Sequence, residues 1–195
     1  MREVHPYGTF IPKGAHSMLI GSFPIGKFSD PKRKHEIKSH EIEFFFGGEK
    51  NLLWKLLGDT FNVPLKSKND IVVFLTKQKL GVGDVIRSCV RREGKASDKD
   101  LLEIEWNMGL LDELRKKKIR KLYFTSKGVE RWFYRLFPEA REMFEALVLI
   151  SPSAQSARGL GGSVEFKKWR MKNPHKAAYE FILKKYKDAF LRSQD

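Results

Sequence analysis

The chain has 195 residues, and its 38 Lys and Arg residues outnumber its 24 Asp and Glu residues, which gives a formal net charge of +14. This length suits one domain over residues 1–195 with a full-sized core, and 41% apolar with 32% charged residues excludes a disordered chain. Cys89 is the only cysteine, so a disulfide framework, a Cys-ligated iron–sulfur cluster and a Cys-rich zinc site are also excluded.

The longest uninterrupted apolar runs cover residues 71–75 and 146–150, which is far too short to cross a bilayer. The amino terminus has no apolar segment of the kind that a secretory signal needs. We therefore expect a soluble, cytoplasmic protein that works without a metal or other cofactor.

The first half of the chain predicts a strand over residues 18–21 that runs into a Pro-containing loop. Asn51 is expected to cap a helix over residues 52–57, with Gly58 as its stop. A second helix is expected over residues 67–80, capped by Ser67 or Asn69 and closed by Gly81.

The β-branched centre of that second helix, residues 71–75, leaves a strand open as the alternative. The following segment, residues 82–90, has the composition of one extended stretch.

The second half continues the alternation of helices and strands. It predicts a helix over 108–118, a strand over 121–125, a helix over 128–137, a strand over 146–150, a helix beginning near Ser163 and a final helix opened by Asn173 and Pro174. Short apolar strands separated by helices indicate an α/β fold with three layers, α/β/α, around a central, mainly parallel four-stranded sheet. Ligands of such sheets bind at the carboxyl ends of the strands.

The charge excess favours a polyanionic partner, because the sequence pI is about 9.8 and the basic residues are clustered. No stretch has the pattern of a basic amphipathic membrane anchor, so DNA or RNA is favoured over a membrane surface. The alternative is a solvated basic surface without a partner. Lys167, Lys168 and Arg170 form the basic cluster nearest to a candidate site loop.

Two loops of small residues follow predicted strands. The first is Gly21-Ser22-Phe23-Pro24, where a Gly-rich turn can bring backbone N–H groups close to a phosphate or a base. The second is Ser151-Pro152-Ser153, which continues to Arg158 and suits phosphate contacts. Taken alone, the first loop is a weak signal, because Gly and Pro after a strand usually just form the turn, and the second loop is equally well explained as a plain connection between a strand and a helix.

Together these loops resemble motifs of the uracil-DNA glycosylase superfamily. Gly-Ser-Phe-Pro is similar to its motif one, and Ser151-Pro152-Ser153 falls at its second catalytic motif. The run from Phe46 to Trp54 resembles an aromatic stretch of the mismatch-specific and hypoxanthine-DNA glycosylase branches, and the run from Gly81 to Arg91 resembles a segment of the hypoxanthine branch. The order and spacing match from about residue 16 to about residue 170.

The resemblance implies an enzyme of base excision repair, a monofunctional hydrolase that removes a flipped uracil or hypoxanthine from DNA. Such an enzyme is expected to be a monomer and, in a bacterium, to be associated with the nucleoid. Many members place Asp or Asn in motif one to position the attacking water, whereas this chain has Phe23. The hypoxanthine branch also has Phe there and uses an Asn further along, which implies Asn107 as the water-orienting residue. Asp84 is the nearest alternative carboxylate, although a structural role at a strand end is open for it. A helix N-cap is the alternative for Asn107.

The resemblance also implies roles for the other motif residues. Phe46 is expected to stack on the base and Asn51 to hydrogen-bond its edge, although a core position and a helix cap are open alternatives. Ser151 is a candidate catalytic residue. The remaining candidates are Gly21, Ser22, Phe23 and Pro24 for the substrate, and Pro152, Ser153, Gln155, Arg158, Lys167, Lys168 and Arg170 for DNA.

The five histidines show no ligand spacing, and no chemistry is predicted for them. Two other functions stay open at this point. One is a catalytically inactive nucleic-acid-binding protein with a glycosylase-like fold, and the other is a small-molecule hydrolase that uses the same loops on a nucleotide.

Overall fold

The structure, a computed structural model, describes residues 1–92, 95, 97–153 and 159–191. The described residues form the strands β1 (Arg2–Val4), β2 (Ser17–Gly21), β3 (Leu80–Asp84), β4 (Ile86–Arg91), β5 (Leu101–Trp106), β6 (Lys121–Phe124) and β7 (Glu145–Val148). The α-helices among the described residues are α1 (Gly26–Ser29), α2 (Leu53–Phe61), α3 (Lys68–Lys77), α4 (Leu110–Lys116), α5 (Lys127–Leu136), α6 (Val164–Lys172) and α7 (Ala178–Leu191).

The centre of the fold is a four-stranded sheet in the order β3-β2-β6-β7, and all of its neighbouring strands are parallel. Successive side chains of β2 point to opposite faces, as a strand requires. Met18 and Ile20 pack with α4 and α5, whereas Leu19 packs with α2, α3 and α7. The predicted α/β class with three layers and a parallel four-stranded sheet is therefore confirmed.

A second, antiparallel sheet in the order β1-β4-β5 lies beside the first, and the sequence pattern did not predict it. The segment 82–90 is not one continuous strand, because β3 belongs to the parallel sheet and β4 to the antiparallel one. The chain changes sheets at Val85, whose N–H donates to Gly21 O over 3.0 Å, and Ile86 N–H then donates to Ser22 O over 3.2 Å. These two hydrogen bonds hold the junction between β3 and β4 against the first candidate loop, which begins at Gly21.

Helix α2 does not stop at Gly58 as predicted; it continues to Phe61. The termination signal is Asn62, which adopts a left-handed conformation with φ of 57°. Gly58 has a different role. A Cβ at this position would lie 2.8 Å from Val63 O, so the absence of a side chain lets the backbone at Val63 pack close to α2.

Two further predicted helix boundaries are wrong. Helix α3 begins as predicted after Ser67, which forms a capping box with Asp70, but it ends at Lys77, and Gly81 belongs to β3. The strand alternative for residues 71–75 is excluded by the same helix. The last helix begins at Ala178 rather than at Asn173 and Pro174, because Asn173 is the residue that ends α6, where its Nδ2 donates to Trp169 O over 2.9 Å.

The predicted helix near Ser163 is confirmed as α6, and Ser163 caps it by accepting a hydrogen bond from Phe166 N–H. Within the described part of the chain, none of the helices has both the length and the apolar composition needed to cross a membrane.

Candidate functional site

The candidate site begins where β2 and β3 end side by side, with Gly21 paired to Asp84 in register. Phe46 lies over this point. A Cβ built on Gly21 would lie 2.2 Å from Asp84 Oδ1 and 2.5 Å from Phe46 Cζ, far inside van der Waals contact. Glycine is therefore required at position 21 for the Phe46 ring and the Asp84 carboxyl group to approach the strand end this closely.

The three consecutive phenylalanines do not share one role. Phe44 and Phe45 are core residues, with exposed fractions of 5% and 1%, whereas Phe46 is only partly buried. Phe46 also has a left-handed backbone, with φ of 55°, which is rare for a bulky residue and indicates that the surrounding structure holds it there. Its ring meets the edge of Trp54 at a centroid distance of 6.4 Å, so α2 supports the Phe46 ring from one side.

Asn51 joins the segment that contains Phe46 to the second candidate loop. It forms an isolated bridge with Ser153, and the next N–H, that of Leu52, donates to Pro152 O over 2.7 Å. Asn51 Oδ1 accepts a hydrogen bond from Leu53 N–H over 3.0 Å, but the N-cap residue of α2 is Leu52, so Asn51 stands one position before the cap that was predicted for it. This hydrogen bond orients the side chain and leaves Nδ2 as the group that can donate to a base.

The loop that contains Ser151 is anchored from both sides. Tyr186 on α7 donates its hydroxyl to Ile150 O over 3.0 Å, and Ser151 Oγ accepts a hydrogen bond from Ser153 N–H over 3.4 Å. The chain then continues through residues 154–158, so Gln155 and Arg158 lie outside the described residues. Lys167, Lys168 and Arg170 are described, and all three are exposed on α6.

The first candidate loop is held by buried polar contacts. Arg91 Nη2 donates to Pro24 O over 2.7 Å, and its Nε forms a buried ion pair with Glu3 at 3.1 Å. Glu3 also accepts a hydrogen bond from Ser29 Oγ over 2.6 Å, which fixes the end of α1. These contacts from β1 and β4 hold the loop after β2 in one conformation.

Phe23 does not present its side chain to an open site. It is 9% exposed, its ring meets the edge of His5 at a centroid distance of 5.7 Å, and the guanidinium group of Arg91 lies over it at 5.9 Å.

The neighbouring residue, Ser22, donates a hydrogen bond from its hydroxyl group to Asp98 Oδ1 over 2.9 Å. Burial raises the pKa of Asp98, and the nearby Asp84 raises it further, whereas Ser22 and Arg91 lower it.

Asp84 is the last residue of β3, and its side chain is 4% exposed. Its Oδ2 lies 2.9 Å from His5 Nε2, while His5 Nδ1 accepts the Tyr7 N–H over 3.2 Å. A neutral histidine that accepts at Nδ1 carries its proton on Nε2, so His5 donates to Asp84. Among the described residues, Asp84 Oδ1 has no hydrogen-bond partner, and the only other buried polar side-chain atom in this state is Tyr7 Oη.

Asn107 directly follows β5, the strand that pairs with β4. Its N–H donates to Val85 O over 2.8 Å, and its Nδ2 donates to Asp84 O over 3.2 Å. Its side chain does not cap α4, whose first turn lacks a side-chain cap. Asn107 therefore touches the backbone of Asp84, while the side chain of Asp84 is the group that faces Gly21 and Phe46.

A cavity of about 510 Å³ opens beside Asp84 and Asn107. Its lining also includes His5, Glu105 and Trp106. A second cavity, of about 320 Å³, lies at the amino ends of the four parallel strands, on the opposite edge of the sheet. In the part of the chain that the structure describes, no three or more His, Cys, Asp or Glu side chains are grouped as metal ligands would be.

Sequence reasoning missed His5. Its only signal was a lone histidine before Pro6, and nothing in the spacing connects residue 5 with residue 84. The connection arises because β1 pairs with β4, which directly follows β3.

Comparison with known proteins finds a similarity in structure but none in sequence. No protein-family model and no curated protein sequence matches this chain significantly. The chain is similar in structure to a "putative Uracil DNA glycosylase" from Methanosarcina acetivorans, solved by solution NMR, with a TM-score of 0.57. The alignment covers 96% of this chain and 98% of that chain at 18% sequence identity. The fold is uracil-DNA-glycosylase-like. At this identity the similarity establishes the fold alone.

Proposed function

We propose that this protein is a monofunctional DNA glycosylase that hydrolyses the N-glycosidic bond of a deaminated base, uracil or hypoxanthine, as a step of base excision repair. Within the superfamily, the sequence motifs favour the hypoxanthine and mismatch-specific branches. The protein is proposed to act as a monomer on DNA that contains a damaged or mismatched base.

One observation carries this proposal. Residues from three separate motifs meet at the carboxyl edge of the parallel sheet, where Gly21 contacts Phe46 and Asn51 bridges to Ser153. Ligands of parallel α/β sheets bind at this edge. The glycosylase-like fold of the chain is consistent with a base pocket at the same place.

The proposed roles follow from the chemistry of base removal. The base must first leave the duplex, which costs a few kcal/mol and least when it is mispaired. Phe46 then offers a ring for stacking, worth about 1–3 kcal/mol for a base. Asn51 Nδ2 donates to the base edge, and the loop of Ser151 and Ser153 faces the base or the neighbouring phosphate. Gly21, Ser22 and Pro24 provide the backbone beneath the base.

DNA binding is proposed to depend on the basic face of α6. Lys167, Lys168 and Arg170 are exposed there, on the helix that follows the Ser151 loop. Lysine and arginine side chains that contact phosphates release condensed counterions, so this contribution needs no particular base sequence. Gln155 and Arg158 are proposed to join these contacts.

Two residues, Asn107 and Asp84, are candidates for the role of positioning or deprotonating the attacking water. Asn107 is implied by the sequence resemblance, but an amide is a poor base, so it would act by positioning water. Asp84 offers a buried carboxyl oxygen that lies against Gly21, at the end of the strand that carries motif one. Because the phenyl ring of Phe23 cannot accept a proton, an active enzyme needs one of them.

The alternative function is a nucleic-acid-binding protein that does not cleave, and the buried Phe23 at the usual water-positioning place favours it. Purified protein incubated with oligonucleotides that carry uracil, hypoxanthine or xanthine separates the two functions. A glycosylase leaves alkali-labile abasic sites in at least one damaged oligonucleotide and none in the undamaged control. Binding without any abasic sites would establish the alternative.

A further inference from the structure

Asp84 has a feature that its place in the fold does not explain. Its side chain is 4% exposed, and it places Oδ1 against Gly21 with no hydrogen-bond partner among the described residues. A buried polar atom without a partner is costly, and native structures keep few of them. Such an atom at the end of a parallel strand, where ligands of these sheets bind, is placed to accept a hydrogen bond from a bound molecule.

His5 fixes which oxygen of Asp84 remains for that donor. Because Nδ1 of His5 accepts the Tyr7 N–H, its Nε2–H points at Asp84 Oδ2. The His5 ring is enclosed by Tyr7, Phe23 and Phe45, with centroid distances of 5.2–5.8 Å. These aromatic contacts hold the imidazole in one orientation, so Oδ2 is occupied and Oδ1 alone faces Gly21 and the edge of Phe46.

We infer that Asp84 is the catalytic residue that accepts the proton of the attacking water and faces the positive charge that develops on the sugar, with His5 as its positioning residue. This inference rests on the proposed glycosylase function. It gives the buried Phe23 a role as well, since the ring packs against His5 in the place where other proteins of this kind carry the water-positioning group.

The step balances without a cofactor. The water oxygen forms a bond to C1′ of the sugar while the bond from C1′ to the base nitrogen breaks and its electron pair leaves with the base. One water proton passes to Asp84 Oδ1 and returns to the departing base or to solvent. A carboxylate can accept this proton and stabilises a cationic sugar, whereas the Asn107 amide can only orient the water.

The inference is tested by binding, so that it does not depend on turnover. Two duplexes carry an abasic-site analogue, one with a neutral tetrahydrofuran ring and one with a pyrrolidine ring, which is positively charged at neutral pH. Dissociation constants are measured for the wild type and for Asp84→Asn. We expect the wild type to bind the pyrrolidine duplex about tenfold more tightly or better, and Asp84→Asn, which keeps the shape and removes the charge, to lose this preference.

Two more variants complete the experiment. Glu105→Gln removes one charge from the same cavity at a side chain that is 52% exposed, and it should keep the preference. His5→Ala should weaken the preference, and His5→Gln, which retains an N–H donor, should restore part of it. Thermal melting of each variant reports whether it is folded.

Each outcome decides one of the two proposals. A wild type with no preference for the cationic duplex, or an Asp84→Asn variant that keeps it, would overturn the role of Asp84 even if the protein excises bases. A wild type that shows the preference through Asp84 but excises no base would overturn the glycosylase function and leave a carboxylate that recognises the sugar. A preference lost equally in Glu105→Gln would show a general charge effect and would also overturn the inference.

Discussion

The ring of Phe46 lies directly against the backbone of Gly21, at a distance that leaves no room for a side chain between them. We therefore predict that Gly21→Ala displaces Phe46 and Asp84, because the new Cβ would lie 2.5 Å from Phe46 Cζ. Overpacking of this kind costs about 1–3 kcal/mol of stability, and a displaced site can lose about 10²-fold in rate. Single-turnover excision and thermal melting measure both effects.

The matched control for this variant is Gly161→Ala, because a Cβ at Gly161 meets no atom within 4 Å. It should match the wild type in both measurements. Excision by Gly21→Ala at the wild-type rate would show that the contact between Phe46 and Gly21 has no part in the site.

Phe46→Ala separates a stacking surface from a core residue. We expect excision of a damaged base to fall by about 10–100-fold, since stacking is worth about 1–3 kcal/mol. Stability should fall much less than in Phe45→Ala, whose side chain is 1% exposed and whose loss should cost about 3–5 kcal/mol. If both variants lose the same melting temperature, Phe46 belongs to the core.

Asn107→Ala tests the water-orienting role that the sequence resemblance implies. A lost positioning group typically lowers the rate by about 10²–10⁴-fold, and a lost neutral hydrogen bond such as that to Asp84 O costs about 1 kcal/mol of stability. Because the Asp84 side chain faces the site and Asn107 contacts its backbone, we expect Asp84→Asn to lose the larger factor in single-turnover excision. The reverse order would return the role to Asn107.

If the basic residues of α6 contact DNA phosphates, removing them should change how DNA affinity depends on salt concentration. Replacing Lys167 and Lys168 with Gln should weaken DNA binding and lower the slope of log affinity against log salt by about 0.9 for each lost phosphate contact. The control is the same double replacement at Lys116 and Lys117, which are exposed at the end of α4, near the opposite edge of the sheet. Equal effects of the two replacements would mean that charge alone, and not α6, determines binding.

We predict that Asp98→Asn is more stable than the wild type by an amount that depends on pH. Burial raises the pKa of Asp98 in the folded protein, so the folded state holds its proton more tightly than the unfolded state, whose pKa is about 3.9. The wild type therefore loses stability as the pH rises from about 4 through the raised pKa. Asn keeps an acceptor for Ser22 and carries no charge. The melting temperature of Asp98→Asn should exceed that of the wild type at pH 7, and the difference should shrink near pH 3.5.

A difference in melting temperature that does not change with pH would contradict this assignment of the Asp98 pKa. Glu105→Gln, which removes a carboxyl group that is 52% exposed, serves as the control for a general charge effect on stability.

Local pattern was sufficient for most of the parallel sheet. The strands near residues 18–21, 121–125 and 146–150 were predicted because buried strands are short apolar runs between turn residues. The start of α3 after Ser67 was predicted because a cap depends on residues only two or three positions away, whereas the predicted cap of α2 was one residue early, since Leu52 and not Asn51 is its N-cap residue. These interactions are local, so the sequence alone determines them.

Helix ends were less predictable, and Gly58 shows why. A glycine usually ends a helix, but here its missing Cβ makes room for Val63 O, and the stop comes from Asn62. The antiparallel sheet was missed for a similar reason, since β1 is short and its pairing with β4 joins residues far apart in the sequence. Contacts of this kind leave no periodic signal.

The sequence by itself determined the α/β class, the basic charge and the motif residues Gly21, Phe46, Asn51 and Ser153. Only the tertiary structure separated Phe46 from Phe44 and Phe45, turned Phe23 into the interior and brought His5 to Asp84. The physical reason is that burial and hydrogen bonding depend on which strand ends become neighbours. That choice is made by the packing of the whole chain.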